Sequence, residues 1–310
     1  MPQEKTYSQM REEFSKTFYK SIAPRIQQYE YEKISILVTT LFIGLILVLI
    51  ASWIVYHGFT TNGGCSRGEA KIVIGLLFLA FGIYWLRKKC FEEYIKGIIM
   101  PKICKCFGNL TWSCNSYKLS TIFSTTKIID YYDNVEFDDI FVGQFKNVNY
   151  EIIESKFTKG SGRNETIVFD GVIIKLDMNK PFLGRTVIRP NSLLHSSPHP
   201  ILKHTELEDI QFEKKFDVFT DDEVEVRYLI TPSFMERLNE MQVAFTADKV
   251  SCAFYKKYLF IALHTSKDLF SICSLFKKID DPKQFFTMFE EILSIIKLID
   301  HFKLNQKIGL

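Results

Sequence analysis

The feature that most constrains this chain is an uncharged run from Ile34 to Tyr56, ISILVTTLFIGLILVLIASWIVY. A helix needs about 20 apolar residues to cross roughly 30 Å of hydrocarbon, and this run supplies them. Trp53 and Tyr56 near its end, and Tyr29 and Tyr31 before its start, suit the aromatic belts of the two interfaces. A core helix of a soluble protein fits less well, because such helices carry polar residues at helical spacing. A second uncharged run, Ile72 to Leu86, is shorter. At about 1.5 Å per residue it crosses only by borrowing Ala70 and letting Lys71 snorkel. Alone it would fit a re-entrant hairpin equally. Following the first run, with Tyr84, Trp85 and Arg87-Lys88-Lys89 at its exit, it reads as a second crossing.

Basic residues set the expected orientation. Lys16, Lys20, Arg25 and Lys33 precede the first run and Arg87, Lys88 and Lys89 follow the second, whereas His57 to Lys71 between them offers Arg67 and the boundary Lys71. Lys and Arg favour the cytosolic side, so both termini are expected in the cytosol and the Gly-rich loop outside. The first run also starts too late, and is too long, for a cleavable signal peptide. The expected layout is an N-terminal helical segment over 1–33, a two-span hairpin over 34–86, a juxtamembrane linker over 87–129 and a soluble domain over 130–310.

Composition narrows the partners. The 310 residues carry a formal net charge of +3, with a pI near 8.3. Nucleic-acid binding usually needs a dense basic stripe and a domain pI above about 9, so the lipid bilayer and proteins are the expected partners. Seven cysteines (Cys65, Cys90, Cys104, Cys106, Cys114, Cys252 and Cys273) are an odd number in a chain too long for a disulfide-stapled miniature fold. They read as reduced cytosolic thiols, with Cys65 the exception if its loop lies outside. Between Cys90 and Tyr117, Ile95, Ile98, Ile99, Ile103, Phe107 and Trp112 alternate with Lys96, Lys102 and Lys105. That stretch either lies among lipid headgroups or packs as an ordinary linker. Its four cysteines offer a single Cys-x-Cys instead of the two hooks of a structural zinc site, and no metal is expected there. Acylation of these thiols is open in a eukaryotic host, but no motif requires it.

Beyond residue 130 the pattern turns to strands. Phe141–Phe145, Tyr150–Glu154 and Thr166–Leu176 are rich in β-branched and aromatic residues, with a hairpin loop at Gly160–Asn164. Another strand is expected over Arg185–Ile188, and a hairpin over Val250–Tyr255 and Tyr258–His264 turning at Lys256-Lys257. Asp221-Asp222 can cap a helix running to Ile230, and Thr231-Pro232 a second to Met241. After Asp281-Pro282, Phe285, Phe289, Ile292, Ile296 and Ile299 share one helical face. The expected fold is α+β, with a mainly antiparallel sheet and a covering C-terminal helix.

These residues resemble the bacterial domain-of-unknown-function family 3137. The long run Phe216-Asp217-Val218-Phe219-Thr220-Asp221-Asp222-Glu223-Val224-Glu225-Val226-Arg227-Tyr228-Leu229-Ile230-Thr231-Pro232-Ser233-Phe234-Met235-Glu236-Arg237-Leu238 carries most of the likeness. Val168–Val172, Gly184–Val187, Leu259–Ala262 and Asp268–Phe270 support it. Val226 departs from the small residue expected before Arg227-Tyr228. The resemblance covers Asp138 to Ile299 and the two-span layout, and implies a bacterial inner membrane. It implies no catalytic residues. Neighbourhood with LemA-type membrane proteins, common in the family, implies a membrane complex.

The remaining constellations each have a plain alternative. His195, His199 and His204 could hold a transition metal, but they sit in a Pro-rich loop without helical spacing and fit a solvated loop better. Asp221, Asp222, Glu223 and Glu225 could do acid–base work, yet acids in a helix's first turn are favoured by its dipole. Arg185, Arg189 and Arg227 could bind a phosphate or an acidic partner, or form ion pairs. Gly160-Ser161-Gly162 lacks the Gly-Lys-Ser/Thr of a nucleotide loop, and nothing singles out a Cys–His nucleophile pair. No cofactor is expected, and Arg185, Arg189, Asp221, Asp222 and Arg227 are the interaction candidates. The leading expectation is a membrane-tethered domain that binds a protein or senses a state. A membrane enzyme built on the Asp222 acids or the histidines comes second. A subunit of an oligomeric transporter or pore comes last, since the spans hold no ionisable path.

Overall fold

The computed structural model describes residues 5–62, 66–114, 120–178, 180–192, 196–265, 267, 269–270, 272, 279 and 281–301. Cys65, His195, Asp268 and Cys273 lie outside them. The chain forms two compact units. One comprises Glu13–Lys102 with Ile272–Phe285, the other Met1–Glu12, Ile103–Ser271 and Phe286–Leu310.

The first unit is built on long helices. Helix α1 (Tyr7–Thr17) passes through a π turn at Phe18–Ile22 into α2 (Ala23–Asn62), and α3 spans Arg67–Cys104. In this unit Phe14, Phe18, Ile22, Ile26 and Tyr29 fall at steps of three or four residues, and all are buried. The apolar runs are not. Leu41, Phe42, Phe78 and Phe81 are 72%, 64%, 72% and 67% exposed, which is the opposite of a core helix. Both α2 and α3 are long and apolar enough to cross a membrane. The helices also run further than the sequence expectation. Ser66 Oγ accepts from Glu69 N–H while Glu69 Oε2 accepts from Ser66 N–H, a reciprocal capping box that starts α3 within the expected loop. Arg87 then donates to Thr39 Oγ1 at 2.8 Å, tying α3 to α2.

The second unit is a nine-stranded sheet: β1 (Asn109–Ser113), β2 (Asn134–Phe145), β3 (Val148–Lys159), β4 (Thr166–Asp177), β5 (Thr186–Pro190), β6 (Lys203–His204), β7 (Phe216–Thr220), β8 (Lys249–Tyr255) and β9 (Tyr258–His264). Their order is β1-β2-β3-β4-β9-β8-β5-β7-β6, and every pair is antiparallel. The α+β expectation holds, including the hairpins at 160–165 and Lys256-Lys257. The sheet also reaches further back than residue 130, since β1 pairs with β2 from Asn109 onward.

Between Gly171 and Asp177, β4 is buried on both faces, so the sheet needs cover on both sides. On one face, Phe123 of α4 (Ser120–Thr126) packs among Phe157, Ile173, Val187, Phe219, Ala253 and Phe260. On the other, Phe254 of β8 meets Phe234 of α7 (Pro232–Ala244) with ring centroids 5.4 Å apart. Short helices α5 (Ile210–Glu213) and α6 (Glu223–Leu229) flank β7, and α8 (Pro282–His301) ends the described chain. The face of α8 expected to be apolar is buried throughout, at 1% exposure or less for Phe285, Phe289, Ile292, Ile296 and Ile299. Within this unit Phe289 stacks on Phe107 at 4.7 Å.

The N-terminal residues of this unit clasp its C-terminal helix. Arg11 makes a two-pronged ion pair with Glu290, at 2.6 and 2.7 Å. Tyr7 donates to Asp300, which also holds Lys146 of the β2–β3 turn. The hydrogen bond from Arg11 pulls the Glu290 carboxyl below its ordinary value of 4.5. Such a group stabilises the fold fully above 4.5, and the contribution fades as pH falls through its lowered folded value. Glu290→Gln is therefore expected to lower stability at pH 7 by on the order of 0.5 kcal/mol, the scale of a half-exposed pair. The denaturation midpoints of variant and parent should converge in acid and in high salt.

Candidate functional site

The site follows from strand register. Side chains two apart share a sheet face, so the core row Phe219–Val187–Ala253–Phe260 is followed, two residues on, by Asp217, Arg189, Ser251 and Ala262. Asp217 stands directly opposite Arg189, and Ser251 opposite Ala262. One step further Lys249 faces His264, whose other neighbour is Gly171. Apolar cover thus gives way to polar residues along one continuous face. Ser251 and Ala262 are too small to fill the space. The result is a cleft of about 840 Å³ whose apolar walls include Ile129, Phe169 and Phe219.

Gly171 is fixed by its surroundings. Its φ is +148°, and a Cβ there would lie 2.1 Å from the Leu263 carbonyl oxygen, a conformation and a proximity that only glycine tolerates.

Arg189 spans the cleft rim. It donates through one nitrogen to Asp130 at 2.6 Å and through another to the Lys127 carbonyl, and so straps the segment after α4 to the sheet. Its Nε is buried with no hydrogen-bond partner. Asp217, only 2% exposed, is held by Ser192, whose N–H donates at 3.0 Å and hydroxyl at 3.4 Å. His204 Nε2 lies 3.6 Å from its other oxygen. Asp170 N–H approaches His264 Nδ1 at 3.4 Å. That contact leaves the ring proton on Nε2.

The other candidate residues lie elsewhere. Arg185 precedes β5 while Arg189 is near its end, about 13 Å away at the usual strand rise. The Arg185 guanidinium lies 4.7 Å over the Tyr255 ring. Asp222 caps α6, accepting from Val224 and Glu225 N–H. Asp221 accepts from Arg185 N–H, and Glu225 from Leu183 and Gly184 N–H. These acids hold backbone in place, and Gly184 leaves room where a Cβ would lie 2.7 Å from Asp222 Cβ. Arg227 is exposed on α6. The two described histidines of the Pro-rich loop are separately engaged, since His199 Nδ1 accepts within its own loop and His204 faces Asp217.

Among the described residues the group with metal-ligand spacing is Asp138, Asp139 and Glu154, with ligand oxygens within 4.8 Å of one another. They gather at a bulge in β2, where Asp139 also takes the Trp112 indole N–H at 2.6 Å. The cysteines Cys90, Cys104, Cys106, Cys114 and Cys252 are free thiols. Burial pushes the Cys104 thiol up to about 12 and the Cys252 thiol up as well, which leaves both poor nucleophiles.

Residues 167–304 match the model of a family described as a protein of unknown function, DUF3137. The matched stretch contains Arg189, Asp217, Lys249 and His264 of the cleft. No curated protein matches the chain. A solved structure, the mycobacterial trehalose monomycolate transport factor A (TtfA), is 11% identical over 65% of this chain and 91% of its own. Its TM-score is 0.35, too distant a likeness to transfer anything.

Sequence reasoning named Arg189 but missed Asp217, Lys249 and His264. Asp217 left a trace, as the lone acid in the otherwise uncharged run Phe216–Thr220. Asp217→Ala should strand the Ser192 N–H and cost about 1–3 kcal/mol. Asp222→Ala should cost about 1 kcal/mol through the lost cap. Chemical denaturation of the full chain in detergent measures both.

Proposed function

We propose that the chain is a two-span membrane protein whose DUF3137 domain binds a small ligand on the cytosolic side and so senses a state at the inner membrane. The cleft beside Arg189 carries this reading. Its volume falls in the range of about 300–1,000 Å³ common to small-molecule sites, and it joins apolar walls to a few convergent polar groups. A protein partner that reads the bound state follows from the tethered layout, and a LemA-type protein is the first to test.

Topology has independent support. Arg11 and Tyr7, which precede the first apolar helix, bond Glu290 and Asp300, which follow the second. That pairing supports an even number of crossings, which would bring both flanks of the apolar helices to one side. The excess of Lys and Arg on both flanks supports a cytosolic side.

Two measurements test the proposal. In a background without reactive native thiols, a cysteine at Thr60 is expected to label in intact cells with a membrane-impermeant maleimide, and one at Ser161 only after permeabilisation. The reverse pattern would overturn the orientation. Native mass spectra of the full chain released from gentle detergent should show a retained small molecule, and its absence at every ligand concentration tried would sink the sensing role.

A further inference from the structure

The geometry points to an anionic group on an apolar body, a phosphate or carboxylate head with a hydrocarbon portion, as the ligand of the Arg189 cleft; this rests on the ligand-binding reading above. The cleft's acids are already engaged. Asp217 takes two hydrogen bonds from Ser192 and faces His204, while Asp130 is paired with Arg189. Its donors are in surplus. Lys249 is exposed at the cleft edge, His264 presents an Nε2 proton once Nδ1 faces the Asp170 N–H, and the Arg189 Nε–H has no acceptor.

Unspent donors select a ligand rich in acceptors, and the buried one, the Arg189 Nε–H, is costly to leave unmatched. Register places the donors together, because Lys249 and His264 are paired across β8 and β9. An ammonium beside an imidazole N–H can share the oxygens of one phosphate or carboxylate. Ile129, Phe169 and Phe219 line the same cleft and give nothing to an anion. They suit a hydrocarbon portion attached to it. A membrane lipid headgroup and a soluble amphiphilic metabolite share this chemistry.

The test uses the full chain in neutral detergent with three probes: inorganic phosphate, octyl phosphate below its micellar concentration, and octanol. Octyl phosphate is expected to raise the melting temperature and to bind at least about tenfold more tightly than either half alone, about 1.4 kcal/mol. Lys249→Ala should weaken it by about tenfold, with Lys249→Arg restoring most of the affinity and neither variant altering the melting temperature without probe. Octanol binding as well as octyl phosphate, or unchanged binding by Lys249→Ala, would overturn the anionic head. Nanodiscs separate the sources. Stabilisation by phosphatidylglycerol over phosphatidylcholine that Lys249→Ala abolishes supports a lipid, and equal stability in both beside a response to octyl phosphate supports a soluble ligand. A neutral molecule retained in native mass spectra with no response to octyl phosphate overturns this inference and leaves ligand sensing standing. No retained molecule and no response to any probe overturns both.

Discussion

The double burial of the central strands is the constraint on which the second unit depends. From Gly171 to Asp177, β4 presents no face to water, and its neighbour β9 is buried from Leu259 to Leu263. A sheet buried on both sides must be covered on both. Phe123 of α4 lies among the residues of one face and Phe234 of α7 meets Phe254 on the other. The apolar row Phe219–Val187–Ala253–Phe260 gives way one row on to Asp217, Arg189, Ser251 and Ala262. The cleft lies at that change.

Elements with periodic patterns could be read from sequence, and elements without one could not. The terminal helix, the β8–β9 hairpin and the caps Asp222 and Thr231 match their predicted places, because stripe, alternation and cap chemistry are local signals. Strand β7 was invisible as a strand. All five of its residues are buried, so it shows no alternation, and Asp217 interrupts the apolar run. Strand β6 has two residues, too few for any period. The cleft was harder still, since Lys249 and His264 meet only through the register of β8 and β9, which no local signal encodes.

The acids that looked most like chemistry from sequence serve the backbone instead. Asp221, Asp222 and Glu225 together accept five backbone N–H groups at the start of α6 and in the segment before β5. An orphan N–H costs about as much as a lost hydrogen bond, which accounts for a cluster of carboxylates without an active site. Asp217 is the reverse case. It is a single acid that sequence gave no reason to weigh, placed where the covered face turns polar.

The clasp between Arg11 and Glu290 also fixes when the sheet unit can close. Arg11 and Glu290 are 279 residues apart in sequence. At about 5–20 residues per second, translation separates their emergence by tens of seconds. During that interval both apolar helices have been made, and the N-terminal residues wait without their partner. The sheet unit becomes whole only with α8, so a ribosome that stalls before residue 290 leaves both apolar helices made and the sheet unit open at Arg11 and its neighbours.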